Sequence, residues 1–326
     1  MVSASTMNIS FEDASSLLPL PQLIEQLRKA FIAGCVAPQR HHHKISVQDQ
    51  PDATLLLMPS WQTNAADGGY LGVKVVTVFP GNTSRGIPGL TSSYLLFDGG
   101  TGVQLATIDG NAITTRRTVA VSALAASFLA RKDAENLLVL GSGRVASLLP
   151  EAYSAVRKIR RVGIWDINLE SADVMAKRLQ AVGFDAYVAS KLEHSVRDAD
   201  IVTSATLATT PIIKGEWLKQ GAHVDLIGGF TPTMREADDE TLERSSVYVD
   251  TEAALHEAGD FTQAIESGAF VASTLAGSLR ELCTEGVCGR SAPEQITTFK
   301  AVGTALADLA AATMAYETAR SFRTCV

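Results

Sequence analysis

Long apolar runs, basic clusters and paired cysteines are all missing from this sequence. Each absence excludes a class. No stretch of about eighteen uncharged apolar residues occurs, so no membrane-spanning helix is expected. The opening residues, MVSASTMNISFEDASSLLPLPQL, lack a basic segment followed by an apolar one, so no signal peptide is expected. The four cysteines, Cys35, Cys283, Cys288 and Cys325, are spaced for neither a zinc site nor a disulfide framework. Free thiols in a reducing cytoplasm fit them better. The net charge of −7, without a basic run, argues against nucleic acid as the main partner. A small anionic ligand stays allowed, because a local basic pocket can sit in an acidic protein. What is present is apolar bulk: 46% hydrophobic and 19% charged residues over 326 positions. That is enough for about two domains with packed cores.

Residues 11–34 place Leu17, Leu18, Ile24, Leu27 and Phe31 at roughly helical spacing, which predicts one amphipathic helix. The period then changes. ATLLLMPSW (53–61), GYLGVKVVTVF (69–79), LTSSYLLFD (90–98) and GVQLATID (102–109) read as strands, separated by the turn stretches AADGG and DGGTG. This predicts an antiparallel meander of four strands. TTRRTVAVSALAASFLA (114–130) reads as a helix with Thr114 or Thr115 as its N-cap. From Asn136 onward strands and helices alternate: NLLVLG, RVASLLPEAYSAV, RRVGIWD, LESADVMAKRLQAVG, DAYVA, KLEHSVRDA, then the strands DIVTSAT, AHVDLIGG and SSVYVD. Such alternation predicts an α/β fold of the Rossmann type, a doubly wound parallel sheet covered by helices. After Pro293 a long Ala-rich helix is expected, returning to the N-terminal part.

Gly141, Gly143 and Ala146 form G-x-G-x-x-A between an apolar strand and a helix. Gly141 permits a tight turn, Gly143 lets backbone approach a pyrophosphate, and Ala146 keeps helix and strand close. The helix start adds free N–H groups and a positive dipole end. Arg144 and Val145 complete the loop. Asp166 ends the next strand, 20 residues beyond Ala146, where a carboxylate can accept from both ribose hydroxyls. That favours NADH, while Arg144 could meet the extra phosphate of NADPH; both cofactors stay open. Asp166 also reads as a turn cap, and the whole stretch as a ligand-free glycine turn. Ser204, Ala205 and Thr206 fall at the carboxyl edge of the sheet, as lining for a nicotinamide or as an ordinary hydroxyl-rich loop. Thr118 is a further nucleotide-contact candidate.

Arg40, Lys74, Arg116 and Arg117 stand out as cations at the ends or inside of first-half elements. A lysine within the apolar strand YLGVKVVTV is costly unless paired or facing a cleft. Arginine is a natural bidentate receptor for carboxylate. Surface charge accounts for Arg116 more readily than for Lys74. The triplet His41, His42 and His43 reads as a solvated or interface loop, since consecutive extended residues do not converge on one ion. No metal site is expected.

The stretches LLLMPSW, GVKVVTVFPGN, IPGLTSSYLLFDGGTGVQLATID, ITTRRTVAVSALAA, VLGSGRVA, DIVTSAT, GAHVDLIGG and TTFKAVGTALADLAAA resemble the ornithine cyclodeaminase and mu-crystallin superfamily, in its order and over nearly the whole chain. The resemblance implies two domains. A substrate-binding and dimerisation domain of α+β type would span residues 1–115 and be rejoined by 303–326. A dinucleotide-binding domain would span 116–302. It further implies a homodimer and a substrate carboxylate held by Arg40, Lys74 and Arg117.

Cyclodeaminases of the superfamily carry an aspartate just after a Gly-Gly pair and a glutamate two residues before the Met of the MP stretch. Phe230 and Leu56 occupy those positions here. The deaminating half of that chemistry is therefore not expected. The pattern GSGRVASLLPEAY, WD and LIGGFTPTMREADD looks most like bacterial Δ1-pyrroline-2-carboxylate reductases of hydroxyproline breakdown. A small cyclic imino acid is the implied substrate, five- or six-membered, reduced to L-proline or L-pipecolate. Arg40 and Arg117 would fix its carboxylate, Lys74 or a water it holds would supply the proton, and Met58 and Phe230 would line the pocket. Asp225 and Asp308 are acidic candidates outside this set. Ornithine cyclodeamination, reductive amination of a keto acid, and ligand binding without catalysis are the rival readings.

Overall fold

The computed structural model describes residues 6–324. They form two compact units. One joins the described residues up to Arg117 to those from Thr304 onward; the other is Thr118–Gly303.

The first unit begins with strand β1 (Met7–Ile9) and helices α1 (Phe11–Leu17) and α2 (Leu20–Ala33). Strands β2 (His41–Ile45), β3 (Ala53–Trp61), β4 (Tyr70–Val78), β5 (Leu90–Asp98) and β6 (Gln104–Asp109) follow. They make one sheet in the order β1-β6-β5-β4-β3-β2. Neighbours from β2 to β6 are antiparallel, whereas β1 lies parallel to β6. The four expected strands are thus the middle of six. β1 is too short to show a period. β2 is the histidine triplet itself, which pairs with Leu55, Leu56 and Leu57 as an exposed edge strand rather than a loop. All five of its residues, His41 to Ile45, are exposed.

The single helix expected over 11–34 is broken in two. Pro19 disfavours helical backbone at the residue before it, and Leu18 leaves the helix at φ −120° and ψ 59°. The buried face of α2 is Leu20, Leu23, Ile24, Leu27 and Phe31. Helix α3 (Gly110–Leu129) starts earlier than expected. The Asp109 carboxylate accepts from the N–H groups of Asn111 and Ala112, so Asp109 caps it in place of Thr114 or Thr115.

The second unit holds β7 (Asn136–Leu140), α4 (Leu149–Ser154), β8 (Arg161–Trp165), α5 (Leu169–Ala181), β9 (Asp185–Val188), α6 (Leu192–Asp198), β10 (Ile201–Ser204) and β11 (His223–Leu226). Then come α7 (Asp239–Glu243), β12 (Ser245–Val249), α8 (Ala254–Glu257), α9 (Gly259–Ser267), β13 (Gly277–Ser278), α10 (Leu279–Cys283) and β14 (Ile296–Lys300). The sheet order is β13-β12-β14-β11-β10-β7-β8-β9, with every pair parallel. The winding reverses between β7 and β10, which makes their carboxyl ends the switch point.

Two expectations give way here. The helix after β7 is only a 3-10 turn at Ala146–Leu148 and the six residues of α4. Pro293 does not open a helix: the β-branched run Ile296, Thr297 and Thr298 builds β14, buried throughout between β11 and β12. The C-terminal helix α11 (Ala305–Thr324) follows Gly303, whose φ is +84°. It packs on α2, β3 and β4 of the first unit, and the Ser60 hydroxyl of β3 donates to the Ala305 carbonyl. Ala307, Ala311, Ala312 and Ala315 are fully buried, so close approach depends on their small size. Among the described residues no helix is long and apolar enough to cross a membrane.

Overpacking a tight helix face costs about 1–3 kcal/mol. Ala311→Leu should lose that much in urea unfolding, whereas substitution at the exposed Phe322 should not.

Candidate active site

Lys74 lies in the middle of β4, opposite Met58 of β3 and Tyr94 of β5. Strand alternation turns it inward with Gly72 and Val76 while Val73 and Val75 stay half-buried. Its Nζ lies 2.7 Å from Oδ2 of Asp308 on α11. Arg117, on α3, donates through Nε to Oδ1 of the same carboxylate at 2.9 Å. Lys74 is 3% exposed and Asp308 not at all. One carboxylate therefore serves two buried cations, and the cluster carries a surplus positive charge suited to an anion. Half-buried Arg40 adds its field to that of Arg117.

These charges set the proton affinities. Burial lowers Lys74 to about 8, helped by Arg117 and Arg40 and opposed by Asp308. Burial works to raise Asp308, but Lys74 and Arg117 outweigh it and hold the carboxyl below its ordinary range. Met58 and Tyr94 are buried around the lysine.

The second group of residues stands at the carboxyl edge of the parallel sheet. Gly141 follows β7 at φ +101°, and a Cβ there would meet the Ala205 carbonyl oxygen at 2.8 Å. That backbone needs glycine twice over, for its dihedral and for its neighbour. Gly143 differs: its φ is ordinary, and a Cβ would find nothing within 4 Å. Arg144 is exposed, Val145 half-buried and Ala146 buried. Asp166, after β8, accepts from the Ser142 hydroxyl at 2.6 Å and the Asn168 N–H at 2.8 Å. It thus caps its turn and faces the glycine loop together. Ala205 and Thr206 leave β10 beside that loop, with the Ala205 N–H on the Leu140 carbonyl at 2.9 Å. Thr118 is buried on α3, and Phe230 is 43% exposed after Gly228 and Gly229. Lys74, Arg117, Arg40 and Met58 belong to the first unit; the nucleotide candidates and Phe230 belong to the second.

Several buried charges were not in the sequence-derived set. Asp308, the one acid in ALADLAAA, lies outside that set. Glu236, Asp260 and Lys300 carry no local sequence signal that marks them as buried charges. Lys300 Nζ lies 2.9 Å from Asp260 Oδ2 and 4.0 Å from Glu236 Oε2, and all three are fully buried. Burial raises the Glu236 carboxyl, against the pull of Lys300. Asp225 is explained by packing: Oδ2 accepts from Tyr153 and Thr203 at 2.8 and 2.7 Å, tying α4 and β10 to β11.

Residues 6–323 match the Ornithine cyclodeaminase/mu-crystallin family. An uncharacterised protein of Schizosaccharomyces pombe is 45% identical, over 97% of this chain and 98% of its own length. The Δ1-pyrroline-2-carboxylate reductase of Paracoccus denitrificans is 37% identical, over 94% of this chain and 95% of its own. Among solved structures, that of Thermococcus litoralis Δ1-pyrroline-2-carboxylate reductase in complex with NADH and L-proline superposes with a TM-score of 0.90. It is 31% identical and covers 97% of this chain and 98% of its own.

Removing Asp308 strands two buried cations. Asp308→Ala should cost about 3–5 kcal/mol of unfolding free energy, measured in urea. Adding Lys74→Met should recover part of it, because one unpaired charge disappears.

Proposed function

The chain belongs to the ornithine cyclodeaminase/mu-crystallin family, and from that premise we propose that it reduces a cyclic ketimine carboxylate with NADH or NADPH. The observation that carries this reading is the buried carboxylate of Asp308 shared by Lys74 and Arg117. It leaves a positive surplus, a proton donor and a guanidinium in one place.

A nicotinamide nucleotide fits the second unit. The open space over Gly143 is room that a side chain would fill, and at Gly141 both the positive φ and the nearby Ala205 carbonyl leave no place for a Cβ. Gly141, Gly143, Arg144, Val145 and Ala146 would hold the pyrophosphate, Asp166 a ribose, and Ala205 and Thr206 the nicotinamide side, with Thr118 as a further contact. When bound, the reduced nicotinamide supplies the hydride.

The remaining work falls to this chain's side chains. Asp308 occupies Nε of Arg117, leaving its two terminal nitrogens for the substrate carboxylate. Arg40 completes that clamp. Lys74, at about 8, is largely protonated near neutral pH, and gives its proton to the ring nitrogen as the carbon of C=N is reduced. Met58, buried opposite Lys74, would line the first unit's side of the site against a flat five- or six-membered ring. Leu56 and Phe230 offer no group that could accept a proton from a departing amine, so ornithine cyclodeamination is not part of the proposal. Cysteine spacing that suits no disulfide framework supports a cytoplasmic setting. The exposed edge of β2 supports a homodimer.

Incubated with Δ1-pyrroline-2-carboxylate, the protein should oxidise one nicotinamide nucleotide per proline formed. It should release no ammonia from L-ornithine with catalytic NAD; robust ammonia release would reject the reading. Its kcat/KM should fall as pH rises through about 8, as Lys74 loses its proton. A flat profile there would remove Lys74 as donor. Gly143→Val should melt like the parent, since a Cβ there meets nothing within 4 Å, yet bind NADH at least about tenfold more weakly. Unchanged binding in a fluorescence titration would dismiss the glycine-loop assignment.

A further inference from the structure

Glu236 is buried and makes no contribution to the chemistry described above, but its hydrogen bonds are concentrated in one region. Oε1 accepts from the Ser204 hydroxyl at 2.6 Å and from both the N–H and the hydroxyl of Thr206 at 2.8 Å. Oε2 accepts from the Gly228 N–H at 2.7 Å and the Gly229 N–H at 3.3 Å. All five donors belong to the ends of β10 and β11 or to the segments that leave them. These segments approach closely around the carboxylate: a Cβ on Gly228 would meet the Thr206 carbonyl oxygen at 1.9 Å and Glu236 Oε1 at 2.5 Å.

The carboxylate is itself held. The Glu236 N–H donates to Asp260 Oδ1 at 2.8 Å, and Asp260 Oδ2 pairs with Lys300 at the end of β14, next to β11. In a doubly wound sheet the half beyond the switch point receives the second nucleotide moiety. Asp166 lies on the β7–β8 side; Ala205, Thr206, Gly228 and Gly229 lie on the β10–β11 side.

We propose that Glu236 is the positioning residue of the nicotinamide half-site, fixing the Ala205–Thr206 and Gly228–Gly229 segments against each other through one shared carboxylate. This rests on the reading that the second unit binds a nicotinamide nucleotide. Glu236 touches neither substrate nor cofactor; it acts through the backbone it holds. Unmade bonds at its five donors would leave buried polar groups unsatisfied on that side alone.

The test compares NADH with ADP-ribose, which lacks the nicotinamide ring. Glu236→Gln keeps the shape but replaces an acceptor oxygen with a donor. It should weaken NADH binding by about tenfold or more, with ADP-ribose affinity unchanged. In turnover, kcat should fall and KM for the nucleotide rise, while KM for the imine holds. Ser204→Ala removes one donor and leaves the carboxylate in place. It serves if the first variant does not fold, and should show the same selective loss, smaller in size. Equal loss of NADH and ADP-ribose, or no loss of either, overturns the assignment. A parent protein that binds ADP-ribose and NADH but does not reduce the imine defeats the substrate reading and leaves this one standing. A parent that binds neither nucleotide defeats the cofactor reading and this assignment with it.

Discussion

The first unit depends on a carboxylate that two cations share. Asp308 reaches from α11 to Lys74 on β4 and Arg117 on α3. Three elements far apart in sequence are thereby held at one buried point. Buried ions are expensive to desolvate, and such a group persists only when its partners are well placed. Here the balance is incomplete, since two cations meet one anion. A structure built for stability alone would have neutralised the cluster or filled its place with apolar side chains. The surplus charge is what the proposed binding of a small acid would use.

The second unit solves a related problem by a related device. The backbone leaving parallel strands carries N–H groups that the sheet no longer pairs. Around β10 and β11 these groups converge on Glu236, which is fixed by Asp260 and Lys300. At β7 and β8 the corresponding loop is held more lightly, by Ser142 and Asn168 on Asp166. One half of the switch point is thus buried and firmly bonded, and the other is partly open.

Much of this was readable from residue order. Strand–helix alternation after Asn136 and the glycines at Gly141 and Gly143 pointed to a doubly wound sheet. The lone lysine in YLGVKVVTV pointed to a buried charge. What escaped depended on tertiary context. β14 looked like the start of a helix because ITTFK precedes an Ala-rich run, and only burial on both faces of the sheet makes its β-branched residues decisive. The histidines looked like loop because nothing local shows that Leu55, Leu56 and Leu57 pair with them. Asp308 is a candidate in the sequence, but its pairing with Lys74 and Arg117 is not legible there, and Glu236 within MREADD resembles surface charge until the fold closes over it.

The first unit is assembled from both ends of the chain, with the whole parallel-sheet unit inserted between. During synthesis at about 5–20 residues per second, Lys74 and Arg117 leave the ribosome long before Asp308 exists. The inserted unit can form from contiguous sequence, while the charge cluster must wait for α11. Until then the first unit holds two cations with nowhere to be buried. A nascent chain stalled before residue 308 would hold Lys74 and Arg117 without the carboxylate that pairs them.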